Sequence, residues 1–282
     1  DSTDHTEEQN FVNMINDKNI NQIKEFIGSK IDTADISVDS LKALALIDSA
    51  ATYGSPEAIF IKANQTTNLI TAVELYLSAL RNGYNQAFYS LNKIINKKEF
   101  KDLLTKLVNK KDATGLYIVS MLRLSNLIYD LTFDQAVDYL KSAANKKNIN
   151  SLNELGLAYY SGKYVDKDKN AAIKLWEIAA SLNNNEAKQR LIFTKMVDGY
   201  SEITNNDIKY LLKAVDCGSI LSCAALGFAY EKGFFVPVKK AVAVQYYRRG
   251  AHRGNYYAYT LLKRLYDELR PEYDEFTIYT DE

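Results

Sequence analysis

The chain has 282 residues, 47% of them hydrophobic, enough for a continuous core in two compact domains or one long repeat array. Lys+Arg and Asp+Glu both number 35, so the formal net charge is zero and bulk electrostatics argues for neither nucleic acid nor an anionic membrane. With 3 Pro and 12 Gly the chain is poor in tight turns, and no apolar run approaches the roughly 18 residues that span a bilayer.

The chain opens at Asp1 with DSTDHTEEQ, a polar, acidic stretch suited to a tether over residues 1–10. It follows either a removed leader or lipidated cysteine, or an arbitrary boundary. Residues 11–39 read as an N-terminal helical cap. FVNMIN and INQIKEFI set apolar residues three and four apart over Phe11–Gly28, and Ile31–Asp39 reads as a loop. Ser40–Thr52 is the next helix. A landmark then recurs, a helix ending in small residues before a polar turn. It stands at Ala50–Gly54, Ala79–Gly83, Ala143–Lys147, Ala179–Asn183, Ala214–Gly218 and Gly250–Gly254. The last four begin 36, 35 and 36 residues apart, a period that means stacked helical hairpins. The 64-residue gap between Ala79 and Ala143 hides one degenerate unit ending near Leu107–Lys111.

Two stretches, Ser151–Asn184 and Cys223–Gly254, are copies of one motif. Leu155-Gly156 aligns with Leu226-Gly227, Tyr159 with Tyr230, and Gly162 with Gly233. Leu152, Leu155, Ala158 and Tyr159 recur at helical spacing, Gly162 suits a left-handed helix end, and Asp166 or Asp168 caps the second helix. That helix carries Ala172, Leu175, Trp176 and Ala179 inward. Gly156 and the alanines mark crossings where two helix backbones approach closely. Pro237 is expected at the start of the later second helix. Tyr256–Arg270 closes the array, and residues 271–282, after Pro271, form an acidic tail.

This pattern resembles the Sel-one-like repeat (SLR) family, a branch of the tetratricopeptide-type solenoids. The matching residues are Ser151, Leu155-Gly156, Tyr159, Gly162, Asp168, Asn170-Ala171, Trp176 and Ala179-Ala180, and again Leu226-Gly227, Tyr230, Gly233, Lys240-Ala241, Tyr247 and Gly254. Ser55–Ala58 resembles a junction between such repeats. The likeness is close over Ala143–Gly254 and looser over residues 40–270. It lapses at Glu186–Val215, where Leu191-Ile192 stands in place of Leu-Gly, and is blurred at Ala87–Val108. The resemblance implies an all-α, right-handed α-solenoid of helix-turn-helix repeats over residues 40–270, its concave groove lined by the first helix of each pair. It also implies an adaptor or binding protein, often exported in bacteria. A periplasmic immunity protein against a secreted effector, or a cell-envelope scaffold, would follow the same analogy.

No catalytic set is legible. His5 lies in the tether and His252 in the turn GAHRG, and no nucleophile, metal or phosphate motif occurs. The chain therefore reads as a non-enzyme with no cofactor. Its carboxylates fall on amphipathic helices, where solvated faces explain them. Cys217 and Cys223 would form a disulfide in an oxidising compartment or serve as two small interface residues. The segment Glu231–Arg270 is basic and the tail acidic, which reads either as a docking end for an acidic partner or as mutual offset.

Binding residues follow from helical geometry. Positions two before Leu155 and two and five after it share a face away from the hairpin partner. They are Asn153, Leu157 and Tyr160; then Gln189, Phe193 and Met196; then Ala224, Phe228 and Glu231; then Thr260 and Arg264. Tyr257 adds a further aromatic. Phe193 and Phe228 read as anchors for a partner protein, or as filling between successive hairpins. The degenerate unit, with Gln189, Phe193 and Met196, is the expected place for a specific contact.

Overall fold

Each small-residue landmark ends a helix that packs under the next hairpin. A computed structural model describes residues 38–269. The helices are α1 (Val38–Thr52), α2 (Pro56–Gln65), α3 (Leu69–Arg81), α4 (Ala87–Ile95), α5 (Lys98–Asn109), α6 (Ala113–Leu124) and α7 (Phe133–Asn145). They continue as α8 (Ile149–Ser161), α9 (Lys169–Ser181), α10 (Asn185–Asp198), α11 (Asn205–Asp216), α12 (Ile220–Lys232), α13 (Lys240–His252) and α14 (Tyr256–Leu269). Among the described residues there are no strands. Helices α2–α3, α6–α7, α8–α9 and α12–α13 pair as close hairpins, α4 and α5 touch only lightly, and α10 and α11 both pack against α12, the whole stacked as an α-solenoid with α1 and α14 at its ends. The tether, the helical pair over 11–28, the tail and His5 lie outside the described residues. The last two residues of the expected loop at 31–39 are already helical.

Local chemistry sets the boundaries. Ser55, Asp112, Asn148, Asn184 and Ser219 each accept a backbone N–H bond at the start of a first helix. Thr132 and Thr204 close capping boxes on α7 and α11. Asp168 caps α9 through Ala171 N–H at 2.9 Å. Gly162 and Gly233 end α8 and α12 at φ 77° and 84°, where an L side chain would be strained. Pro237 does not open α13: that helix starts at Lys240, and Pro237 lies in the turn before it. Gly156 sits beneath Trp176, where an added Cβ would stand 2.5 Å from the indole Nε1, so only glycine permits this crossing.

The first two hairpin junctions reach across the array. Thr52 O and Tyr53 O accept hydrogen bonds from Asn185 (3.1 Å) and Gln189 (2.9 Å). The Tyr53 ring lies 5.8 Å from that of Tyr210. Arg253 donates to the carboxylate of Glu57, 196 positions earlier, and to Gly218 O at 3.0 Å. An added Cβ on Gly83 would meet Arg253 O at 2.8 Å. Arg81 at the end of α3 donates to Glu154 and Glu186. The N-terminal hairpins thus rest on the turns of the later ones, and the array closes on itself.

Candidate functional site

Counted from its cap, each first helix sets its fifth, ninth and twelfth residues on one face, as 3.6 residues per turn requires. The fifth residues make an inner row, Tyr117, Asn153, Gln189 and Ala224. The ninth make a middle row, Met121, Leu157, Phe193, Phe228 and Arg264. The twelfth make an outer row, Leu124, Tyr160, Met196 and Glu231.

The inner row is covered by the chain itself. Asn153 and Gln189 are each 1% exposed. Gln189 donates to Tyr53 O and accepts from Ser219 Oγ at 2.7 Å, so its amide joins three units. The Asn153 backbone carbonyl accepts from Trp176 Nε1 at 3.2 Å, while its buried carboxamide has no partner among the described residues. Beside this row lies an ion network. Arg81 meets Glu154 and Glu186, and Arg190 meets Glu186 at 2.7 Å, all with side chains about a tenth exposed. Burial pushes the Glu186 carboxyl up, but Arg81 and Arg190 more than offset it and hold the pKa at about 2.

The middle row is where aromatic surface gathers. Phe193 meets Phe228 and Tyr257 edge-on, each at 6.2 Å between centroids, and Phe228 stacks on Phe234 at 6.2 Å. These rings are half-buried. Tyr160 packs 5.4 Å from Trp176 and reaches Asp198 at 3.3 Å. Burial, and then the charge of Asp198 and the nearby Tyr257, push its hydroxyl up to about 12. Lys169 holds Asp198 at 2.6 Å.

At the C-terminal end, Glu231 is buried and receives Tyr247 OH at 2.8 Å, Lys232 Nζ at 2.8 Å and Arg264 Nη2 at 2.5 Å. Burial pushes its carboxyl up, and the bonds from Lys232, Tyr247 and Arg264 bring it below the usual range. The structure thus brings Phe193, Phe228 and Tyr257 together, and joins Glu231 to Arg264. It places Leu157 and Tyr160 farther along the same face. Met196 belongs to the core beneath, 5% exposed.

Two expectations are corrected. The carboxylates are not all on solvated faces: Glu57, Glu154, Glu186 and Glu231 are buried because each meets an arginine. Arg253 adds nothing to a basic docking end, being 3% exposed and committed to Glu57. Sequence reasoning missed Arg81, Glu57 and Arg253. The usable signal was Glu at the second position of α2 and α10, in SPEA and NNEA. Cys217 and Cys223 are free thiols, Cys223 fully buried. Among the described residues no cluster of His, Cys, Asp and Glu could hold a metal ion, and no helix is long and apolar enough to cross a membrane.

The Sel1 repeat family model matches residues 133–148, 149–184 and 220–255. It passes over the whole of α10 and α11, the unit whose sequence is degenerate. Among solved structures, a Sel1 repeat protein from Oxalobacter formigenes is 23% identical at TM-score 0.43, over 70% of this chain and 76% of that one. A protective antigen from uropathogenic Escherichia coli with an SLR fold is 17% identical at TM-score 0.44, over 91% of this chain and 62% of that one. No curated protein matches the chain.

Proposed function

From a chain that carries three Sel1 repeats, we propose a non-enzymatic scaffold that grips a partner protein on the concave face. The observation that carries this reading is the half-buried cluster of Phe193, Phe228 and Tyr257, drawn from three successive first helices. Aromatic rings left partly open on a preformed face are what protein interfaces use as anchors. The inner row is covered, and Leu124, Met196 and Glu231 of the outer row are buried too, so the footprint is the middle row with Tyr160, from Leu157 and Tyr160 to Phe228 and Arg264. Changing Phe193, Phe228 and Arg264 together to Ala should abolish capture of the partner while leaving the helical circular dichroism intact. Unchanged capture would sink the groove reading.

For the partner and compartment, the proposal is an exported protein of the periplasm or envelope, with a secreted antibacterial effector as its partner. The support is the family resemblance alone. Fractionation of the native protein tests the compartment. Co-expression with effectors encoded beside its gene tests protection, and a protein found in the cytoplasm that protects against none of them would defeat this part. Recovery of several envelope proteins in similar yield would favour a cell-envelope scaffold.

A further inference from the structure

We propose that the cavity over Leu157 is a binding site for a small amphiphilic anion, an aliphatic chain ending in a carboxylate. The cavity measures about 310 Å³ and lies between α3, α6 and α8. Leu77, Leu80, Met121, Leu124 and Leu157 line it. Its volume is at the lower end of small-molecule sites, roughly 300–1,000 Å³, and too small for a helix.

The later repeat shows why this space is open. Lys163 follows Gly162 as Phe234 follows Gly233, and Leu157 corresponds to Phe228. In the later copy Phe234 stacks on Phe228 at that position. In the earlier copy that position is a lysine, and the corner over Leu157 is a cavity with Lys163 at its lip.

The charges facing the cavity select the ligand. Arg81 and Glu154 line it, but Arg81 is matched to Glu154 and Glu186, and Arg190 completes that network. Lys163 has no carboxylate within ion-pair distance among the described residues. Its ammonium lies 4.7 Å from the centre of the Tyr164 ring. One uncompensated cation at the mouth of an apolar chamber suits one negative charge on an apolar body. The lip is already set: Tyr164 OH donates to Leu124 O at 3.0 Å and Lys163 N–H to Ala158 O at 3.1 Å.

Titration calorimetry of the full chain with decanoate, decanol and decylamine tests the proposal. Decanoate should bind one to one. Decanol should bind about tenfold more weakly, the scale of a lost charge-assisted hydrogen bond, and decylamine should not bind. Lys163→Met should bring decanoate down to the affinity of decanol. Lys163→Phe, which copies the later repeat, should fill the corner and abolish both. Lys163 lies in an exposed turn, so both variants should keep the wild-type circular dichroism. No decanoate binding, or equal binding of acid and alcohol, overturns the site. No partner protein enters this experiment, so its failure would leave the protein-binding reading standing.

Discussion

Hairpins α8–α9 and α12–α13 are one motif written twice, yet different bonds hold them. In the first, the core aromatic is Trp176, and its N–H ends on the backbone carbonyl of Asn153. In the second it is Tyr247, and its hydroxyl ends on the carboxylate of Glu231, which Arg264 of the next helix also holds. Burial, and then Glu231, push the Tyr247 hydroxyl strongly up, so it stays protonated and donating. The first hairpin makes its charged contact elsewhere, through Glu154 to Arg81 in the N-terminal part of the chain. The later copy has Ala225 at the position of Glu154. A repeat motif thus fixes how two helices cross, while the residues between motif positions decide which distant unit each hairpin is tied to.

The largest expected break in this comparison is Arg81→Met. It would leave Glu154 without its cation and Glu186 with Arg190 alone, both buried. Removing one partner from a buried ion network costs about 3–5 kcal/mol, to be read as a fall in the urea midpoint at constant slope. Arg264→Ala removes a cation that is 37% exposed. It should cost about 1 kcal/mol or less. Equal losses would show that the two hairpins are not tied differently.

Acid probes the same network. The Glu186 carboxyl lies at about 2 in the folded chain against an ordinary 4.5. A lowered folded-state pKa contributes stability that is present above the unfolded value and lost as pH falls through the folded one. Stability should therefore drop by roughly 3 kcal/mol from this group between pH 4.5 and 2. Glu231 acts in the same direction. In Arg81→Met the Glu186 share of this pH dependence should shrink, and an unchanged acid profile would exclude Arg81 as its source.

The crossings themselves are the next smaller test. A Cβ on Gly156 would stand 2.5 Å from Trp176 Nε1, and one on Gly227 2.4 Å from Tyr247 Cδ1. Both distances fall inside van der Waals contact with a buried ring. Gly156→Ala and Gly227→Ala should each cost about 1–3 kcal/mol through overpacking. Thermal melts of the two variants compare directly, and a neutral result in either would mean that its ring can retreat.

These crossings were legible in the sequence because Leu-Gly, the alanine pairs and the cap residues all act within one hairpin. The middle row was legible for the same reason: Phe193 and Phe228 follow from helical spacing. Closure of the array was not. Glu57 and Arg253 are 196 positions apart, and neither carries a local mark of its partner. Helical geometry gave the face on which Gln189 lies, but not that Tyr53 would cover it. Within the chain, the degenerate unit is tied through Gln189 to the first junction and through Glu186 to Arg81 at the second.

The smallest test exchanges a single cap. Asp168 and Lys239 occupy equivalent positions before α9 and α13, with φ near −142° in both and ψ 96° and 89°. Asp168 accepts the N–H of Ala171, whereas Lys239 makes no side-chain cap bond. The backbone at Lys239 is therefore already posed for a cap that its side chain cannot provide. Asp168→Ala should cost about 1 kcal/mol. Lys239→Asp should gain about as much, since it supplies an acceptor and sets a negative charge at the positive end of α13. The two changes together should nearly cancel in a two-state melt, because the sites are in separate hairpins and should add. If Lys239→Asp stabilises nothing, the extended backbone before α13 does not position a cap, and the likeness of the two hairpins stops at their crossings.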